Sequence, residues 1–257
     1  MEDSMTVKEL YDRFSLLLPE TDAEPWDNDG LMCSPDGERQ VRRALVSLDV
    51  TEEIVDYAIE WNFDLIISHH PLVFRPIKSV TDEHHISRKL VKLIANGISV
   101  FSFHSRLDKA VDGVNDRLAN LLGIFDAVPF GEGMLGRIGE IEESCTAEDY
   151  AYRVKQALGS DSVKYVDALN PVRCVAVVGG DGKDFVNAAI EAGADTFVSG
   201  RIGYNVMAEG PEMGINLVEA GHFFTEHPIT GFIQERLMDF DPDMYVEVAS
   251  SNLIKEL

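Results

Sequence analysis

The apolar run Leu65-Ile66-Ile67 is cut off by Ser68-His69-His70-Pro71, and that break constrains the chain more than any other feature. The triplet, two of its residues β-branched, reads as a buried strand. Pro71 has no amide hydrogen to give to a ladder, so the strand stops before it. His69 and His70 are therefore predicted at the C-terminal end of a strand, where ligands bind in open α/β sheets. Adjacent residues within a strand face opposite ways, but past its end both rings can converge on one site. Imidazole is the commonest transition-metal ligand near neutral pH. Taken alone, the pair reads equally well as two surface or capping histidines.

Two more apolar runs end in the same manner. Residues 98–103 lead into His104, with Asp108 following, and residues 215–218 lead through Glu219-Ala220-Gly221 into His222, with Glu226 following. If the three strand ends are neighbours in one sheet, His69, His70, His104, Asp108, His222 and Glu226 form a site. The other histidines read differently. His84 and His85 lie in a polar loop beside Glu83 and are expected to be solvated surface. His227 either stands behind the site or begins a helix, since Pro228 suits a first helical turn.

Between these runs the chain alternates. Residues 6–18 have helical spacing, with Thr6 as N-cap, Glu9 completing a capping box and Pro19 as the stop. Strand 44–50 precedes a helix capped by Thr51, and the Leu65 strand precedes a helix over 87–95 that stops at Asn96-Gly97. A strand over 99–103 and a helix over 113–122 follow. The glycine-rich stretch 131–140 reads as a connection between halves. Then come a helix over 146–158, a strand over 172–178, a Gly179-Gly180-Asp181-Gly182 turn, a helix over 183–193 and a strand over 195–199. Such alternation implies a mainly parallel sheet. A faint repeat aligns residues 61–69 with 192–200, and 97–104 with 214–222. The expectation is an α/β fold of two similar lobes, with mainly parallel or mixed sheets flanked by helices and a metal site between the lobes. Residues 1–130 form the first lobe, with 225–257 packing back on it, and residues 131–224 form the second.

A net charge of −23 and no basic stripe argue against nucleic acid as a partner. No apolar run reaches membrane-spanning length, and no signal-peptide pattern follows the acidic first residues. Cys33, Cys145 and Cys174 are scattered without metal-type spacing, which fits free thiols in a reducing cytoplasm.

At this point several short segments add up. The chain resembles the Nif-three-like dinuclear metal proteins, often labelled GTP cyclohydrolase I type 2 homologues. The resemblance rests on Trp26-Asp27-Asn28-Asp29-Gly30-Leu31, Ser47-Leu48-Asp49-Val50-Thr51, Ile67-Ser68-His69-His70-Pro71, His104-Ser105-Arg106-Leu107-Asp108 and Gly113-Val114-Asn115-Asp116. It continues through Gly136-Arg137-Ile138-Gly139, Val178-Gly179-Gly180-Asp181-Gly182 and Ala220-Gly221-His222 with Glu226, in family order over nearly the whole chain. It implies the short form of a two-lobed α/β fold, assembled as a toroidal homohexamer. It also implies two divalent metal ions, Zn, Fe, Mn or similar, on His69, His70, Asp108, His222 and Glu226. The resemblance places His104 close to the ions without ligating; because both carboxylate oxygens carry lone pairs, Glu226 is expected to bridge the ions, a role Asp108 can share. The chain departs from the family at Arg201 and Asn205, where an Asp and a His are usual; Arg201 brings a positive charge that can face an anionic substrate.

Some residues carry two readings. Gly179-Gly180-Asp181-Gly182 can cradle phosphate through its amides or be a plain tight turn, the turn being favoured. Trp26 is read as core or lobe interface ahead of a base-stacking platform. Asp49 orients a ligand or caps a helix. Two functions follow from the ligand set. One is a dinuclear metal-dependent hydrolase of a small nucleotide-like or phosphorylated substrate, GTP cyclohydrolase I type 2-like, acting through a metal-activated hydroxide. The alternative is a non-catalytic hexameric metal-binding or metal-handling adaptor.

Overall fold

Thr6 opens the first helix as its sequence predicts: its hydroxyl accepts from the Glu9 amide while the Glu9 carboxylate reaches back to the Thr6 amide. The computed structural model describes residues 4–255. In chain order its elements begin with α1 (Val7–Leu17), β1 (Gly30–Cys33), β2 (Arg43–Ser47), α2 (Glu52–Glu60), β3 (Leu65–Ser68), α3 (His85–Ala95) and β4 (Ser99–Ser102). They continue with α4 (Ser105–Lys109), α5 (Val114–Leu121), β5 (Ile124–Phe130), β6 (Gly136–Cys145), α6 (Ala147–Leu158), β7 (Lys164–Val166) and β8 (Val172–Asp181). The last are α7 (Val186–Glu191), β9 (Thr196–Arg201), α8 (Tyr204–Met213), β10 (Asn216–Glu219), α9 (His222–Glu226), α10 (Ile229–Phe240) and β11 (Tyr245–Val248). Thr51 caps α2 through its hydroxyl, as expected, and Thr146 caps α6 in the same way.

Among the described residues the strands form two sheets, each in its own compact unit. The first unit runs to Leu107 and takes back Ile229–Leu253. Its sheet has the order β1-β4-β3-β2-β11, parallel except for β1, which lies antiparallel on β4. Leu45, Ile66 and Val100 pack on one face against Ile54, Val55 and Ala58 of α2 and Leu90 and Leu93 of α3. Toward the other face, the rings of Tyr11 and Phe14 in α1 meet Phe101 and Phe103, and Phe14 also meets Phe240 of α10. Burial on both faces is why these strands read as unbroken apolar runs.

The second unit spans Asp108–Pro228 and takes back the chain from Ile254. Its sheet has the order β5-β6-β8-β9-β10-β7, with β8, β9 and β10 parallel and the flanking pairings antiparallel. Helices α5 and α6 pack Leu118, Tyr150 and Val154 against Val175, Val177 and Val198. Helices α7 and α8 pack Val186, Ala189 and Met207 against Ala176, Phe197 and Leu217. The fold is thus mixed α/β, with two sheets flanked by helices.

Two boundaries differ from the sequence expectation. The units divide between Leu107 and Asp108, not near residue 130. The glycine-rich stretch is a hairpin connection, since β5 returns antiparallel as β6 with Phe130 paired to Gly136. Residues 108–130 therefore belong to the second sheet's unit. The returning segment of the first unit begins at Ile229 rather than 225, because α9 packs on β8 and β9. The expected turn at Gly179-Gly180-Asp181 is instead the end of strand β8, which pairs with β9 as far as Asp181 and Arg201.

Candidate metal centre

β3 ends at Ser68, and His69 and His70 follow directly. In the first unit His69, His70 and His104 each offer a ring nitrogen within 4.8 Å of the others. His69 is wholly buried, and its Nδ1 lies 2.9 Å from the Phe103 carbonyl oxygen. A carbonyl only accepts, so Nδ1 carries the proton and Nε2 is the nitrogen able to ligate. His70 is held likewise, its Nδ1 2.7 Å from Asp49 Oδ1. The second Asp49 oxygen accepts from Ser251 Oγ at 3.0 Å, and Ser251 Oγ accepts from the Asp49 amide. Asp49 thus orients a candidate ligand; α2 is capped by Thr51 instead.

His104 follows the same rule, with Nδ1 2.9 Å from Asp27 Oδ1. Asp27 Oδ2 accepts from the Ser105 amide at 3.0 Å. Burial alone would raise the Asp27 carboxyl, but the hydrogen bonds from His104 and Ser105 outweigh it and hold it well below the usual carboxylate range. Asp29 completes the support. One of its oxygens accepts from the His104 amide at 2.9 Å, and the other pairs with the buried Arg106 guanidinium at 2.6 Å. All three histidines therefore have Nδ1 fixed by an acceptor, the arrangement that sets tautomer and ring angle in metal-ligating histidines.

In the second unit Asp108 and Glu226 offer carboxylate oxygens within 4.8 Å of each other. His222 is the first residue of α9, and its Nε2 lies 2.9 Å from Oε2 of Glu226 one turn later. Glu226 is only 5% exposed. The end of β8 runs close beside it. A Cβ at Gly180 would collide with the Glu226 carboxylate, and Gly180 has φ +65°, so no larger residue fits there. The amides of Gly179, Gly180 and Gly182 are engaged by Asn115 Oδ1 at 2.8 Å, Thr225 Oγ1 at 3.1 Å and the Arg201 carbonyl at 3.1 Å. A phosphate cradle has no amide to use at these three positions.

The remaining candidates fall out plainly. His84 and His85 are exposed, and His84 accepts from the Ile86 amide at the start of α3. His227 stacks on Phe223 at 4.5 Å, and burial lowers its pKa. Burial raises the thiols of Cys33, Cys145 and Cys174, which disfavours a thiolate nucleophile. Arg201 and Asn205 are exposed. Trp26 is 60% exposed and is no core residue. Asp27, Asn115 and Thr225 escaped the residue reading. The only signal for them was their place in short polar motifs, because a supporting residue has no spacing rule of its own.

The donor set is imidazole and carboxylate without thiolate, which fits borderline to hard divalent ions such as Zn, Mn or Fe. No helix among the described residues is long and apolar enough to cross a membrane.

Known proteins resemble the chain along its length. The GTP cyclohydrolase 1 type 2 homolog of Clostridium acetobutylicum is 34% identical over 243 residues, covering 91% of this chain and 90% of that protein. The NIF3 homolog of Schizosaccharomyces pombe is 30% identical over 224 residues, covering 79% and 78%. Among solved structures, a hypothetical protein from Staphylococcus aureus superposes with a TM-score of 0.89 at 25% identity, covering 99% of this chain and 100% of that one. Reduced HcgD from Methanocaldococcus jannaschii gives 0.84 at 26% identity, covering 97% and 98%. The model of the Duf34/NIF3 (NGG1p interacting factor 3) family matches residues 5–256, and the chain belongs to that family.

Proposed function

We propose that His69, His70, Asp108, His222 and Glu226 hold two divalent metal ions, and that the protein is a metal-dependent hydrolase of a small nucleotide-like or phosphorylated compound. The observation that carries this reading is the fixing of His69, His70 and His104 through Nδ1. A ring whose Nδ1 donates its hydrogen in that way has its tautomer set, with the acceptor lone pair on Nε2, the form a metal-ligating imidazole takes. The name shared by several relatives, GTP cyclohydrolase 1 type 2 homolog, supports the hydrolytic reading. When bound, such ions supply Lewis acidity and lower the pKa of a coordinated water.

The chain's own residues then have separable tasks. His69 and His70 supply neutral nitrogen donors. Asp49 and Asp27 hold the rings of His70 and His104 by accepting hydrogen bonds from their Nδ1. Asp108 and Glu226 would supply the negative charge that two adjacent cations need, with Glu226 as the shared ligand. His104 positions the neighbouring groups without ligating.

Elemental analysis of protein purified without chelator tests the ligand set. Two ions per chain are expected, and Glu226→Gln should lose metal while His85→Ala keeps it. Zero metal, or equal metal in both variants, overturns the assignment. Turnover of phosphorylated compounds or nucleotides by the loaded protein separates the hydrolase from the metal-handling adaptor.

A homohexamer in a reducing cytoplasm belongs to the same proposal. Phe125 and Val128 of the edge strand β5 are 55% and 57% exposed and suit contact between copies. At −23 per chain, assembly should tighten as salt screens the charge. Light scattering that shows a monomer at low and high salt removes the hexamer.

A further inference from the structure

We propose that Trp26 and Phe74 form a platform on which the planar heteroaromatic ring of a phosphorylated substrate stacks, beside His104. This deepens the proposed function and rests on it for the location of the reaction. Trp26 is 60% exposed and Phe74 41%. Their centroids lie 6.4 Å apart with planes at 57°. His104 meets both edge-on, at 6.0 Å from Trp26 and 6.2 Å from Phe74. Single apolar side chains on a surface need no explanation; two large aromatics in contact beside a cluster of candidate ligands do.

Both rings are held by their neighbours in sequence. Asp27, next to Trp26, is buried and bonded to His104 and Ser105. Asn28 donates its side-chain amide to the carbonyl of Val73, next to Phe74. A pre-set aromatic surface loses little freedom when a ligand lands on it. The two rings touch each other, so the ligand ring lies on their exposed faces rather than between them. Every base has a π-face, and aromatic platforms accept such rings without reading their edges. Arg75 and Lys78, exposed in the segment after Phe74, bring positive charge to a chain of net charge −23 and suit a phosphate on the same ligand.

The chain has two tryptophans, Trp26 and Trp61, so a Trp61→Phe variant reports on Trp26 alone. Titration of that variant with GMP should quench its fluorescence saturably, whereas ribose 5-phosphate, with the phosphate and no base, should not. Calorimetry on otherwise wild-type protein should show Trp26→Ala binding GMP about tenfold more weakly, the size expected for stacking one base, and Trp26→Phe keeping most of the affinity. Equal affinity in Trp26→Ala, equal quenching by ribose 5-phosphate, or no quenching by GMP overturns the platform. Emission that follows protein concentration and not GMP makes the rings a contact between copies and also overturns it. The readout is binding, so the two proposals fail separately. Metal-free protein with Trp26-dependent GMP binding sinks the metal centre and keeps the platform. Metal-dependent hydrolysis with GMP binding indifferent to Trp26 does the reverse.

Discussion

Asp64 and Asp195 hold corresponding places in the two units. Each ends a helix-to-strand turn and accepts, through one carboxylate oxygen, from two successive amides at the start of the neighbouring strand: Arg42 and Arg43 for Asp64, Arg173 and Cys174 for Asp195. The backbone bonds agree as well. Asp64 donates to Arg43 and accepts from Ser99, while Asp195 donates to Cys174 and accepts from Asn216. Ala44, Leu65 and Ser99 stand in one row of the first sheet, and Val175, Thr196 and Asn216 in one row of the second. The units differ at the strand ends. Ser68 is followed by His69-His70, whereas Ser199 is followed by Gly200-Arg201. The reason is local: a Cβ at Gly200 would stand 2.6 Å from Thr225 Oγ1 and 2.7 Å from the Gly180 oxygen. A histidine cannot occupy that place. The comparison teaches that the aspartate clamp and apolar runs make the scaffold, and that ligand chemistry is added at strand ends wherever packing leaves room.

Seven substitutions that act on stability or metal binding, and one control, break or sharpen that comparison. Asp29→Ala should cost most, about 4 kcal/mol, because it strands the Arg106 guanidinium among groups that are 1% exposed. Asp116→Ala, which removes the partner of Arg137 in the second unit, should cost roughly half as much, since Asp116 is 24% exposed. Equal losses in urea unfolding would show that burial does not distinguish the two ion pairs.

Asp64→Ala should cost about 3 kcal/mol and Asp195→Ala about 2 kcal/mol, as each leaves two amides without their acceptor. The larger figure reflects the added pair from Arg39, 2.6 Å from Asp64. If either variant unfolds like the parent protein, the clamp is not part of the scaffold. Gly200→Ala should cost about 2 kcal/mol through overpacking. A neutral result would mean that the strand end has room and that its lack of histidine has another origin.

Asp49→Ala should weaken metal binding tenfold to a hundredfold by freeing the His70 ring, and Ser251→Ala should weaken it less. Competition with a chelator measures both, and an inverted order would contradict the chain of support. His85→Ala should change neither metal content nor stability beyond about 0.5 kcal/mol, its side chain being exposed.

Features that depend on neighbours in sequence were legible. Thr6 with Glu9 and Thr51 are legible as caps because a hydroxyl three residues from an amide needs no distant partner. The three strand ends were legible because the apolar runs are buried on both faces. What stayed hidden depends on partners far along the chain. Gly179-Gly180-Asp181 is a strand only because β9 pairs with it and the side chains of Asn115 and Thr225 engage its amides. Glycine-rich residues 131–136 resemble a linker until β6 is seen to fold back on β5. Asp27 looks like any loop aspartate until His104, remote in sequence, is found against it. The type of Trp26 suggests core or lobe interface ahead of a base-stacking platform, and the ring is 60% exposed.

The discontinuity of the first unit sets an order of events during synthesis. Every helix and strand of the second unit is encoded by Pro228. The first lacks α10 and β11 until the chain has passed Val248, and His70 lacks the Ser251 support of its aspartate until three residues later. A ribosome releasing this chain N-terminus first therefore exposes β2 as an unpaired sheet edge while the later unit is already closing, an edge of the kind that recruits other strands. Protease challenge of chains arrested at residue 240 should cut the first unit and spare the second; equal resistance would show that the first sheet closes without its last strand.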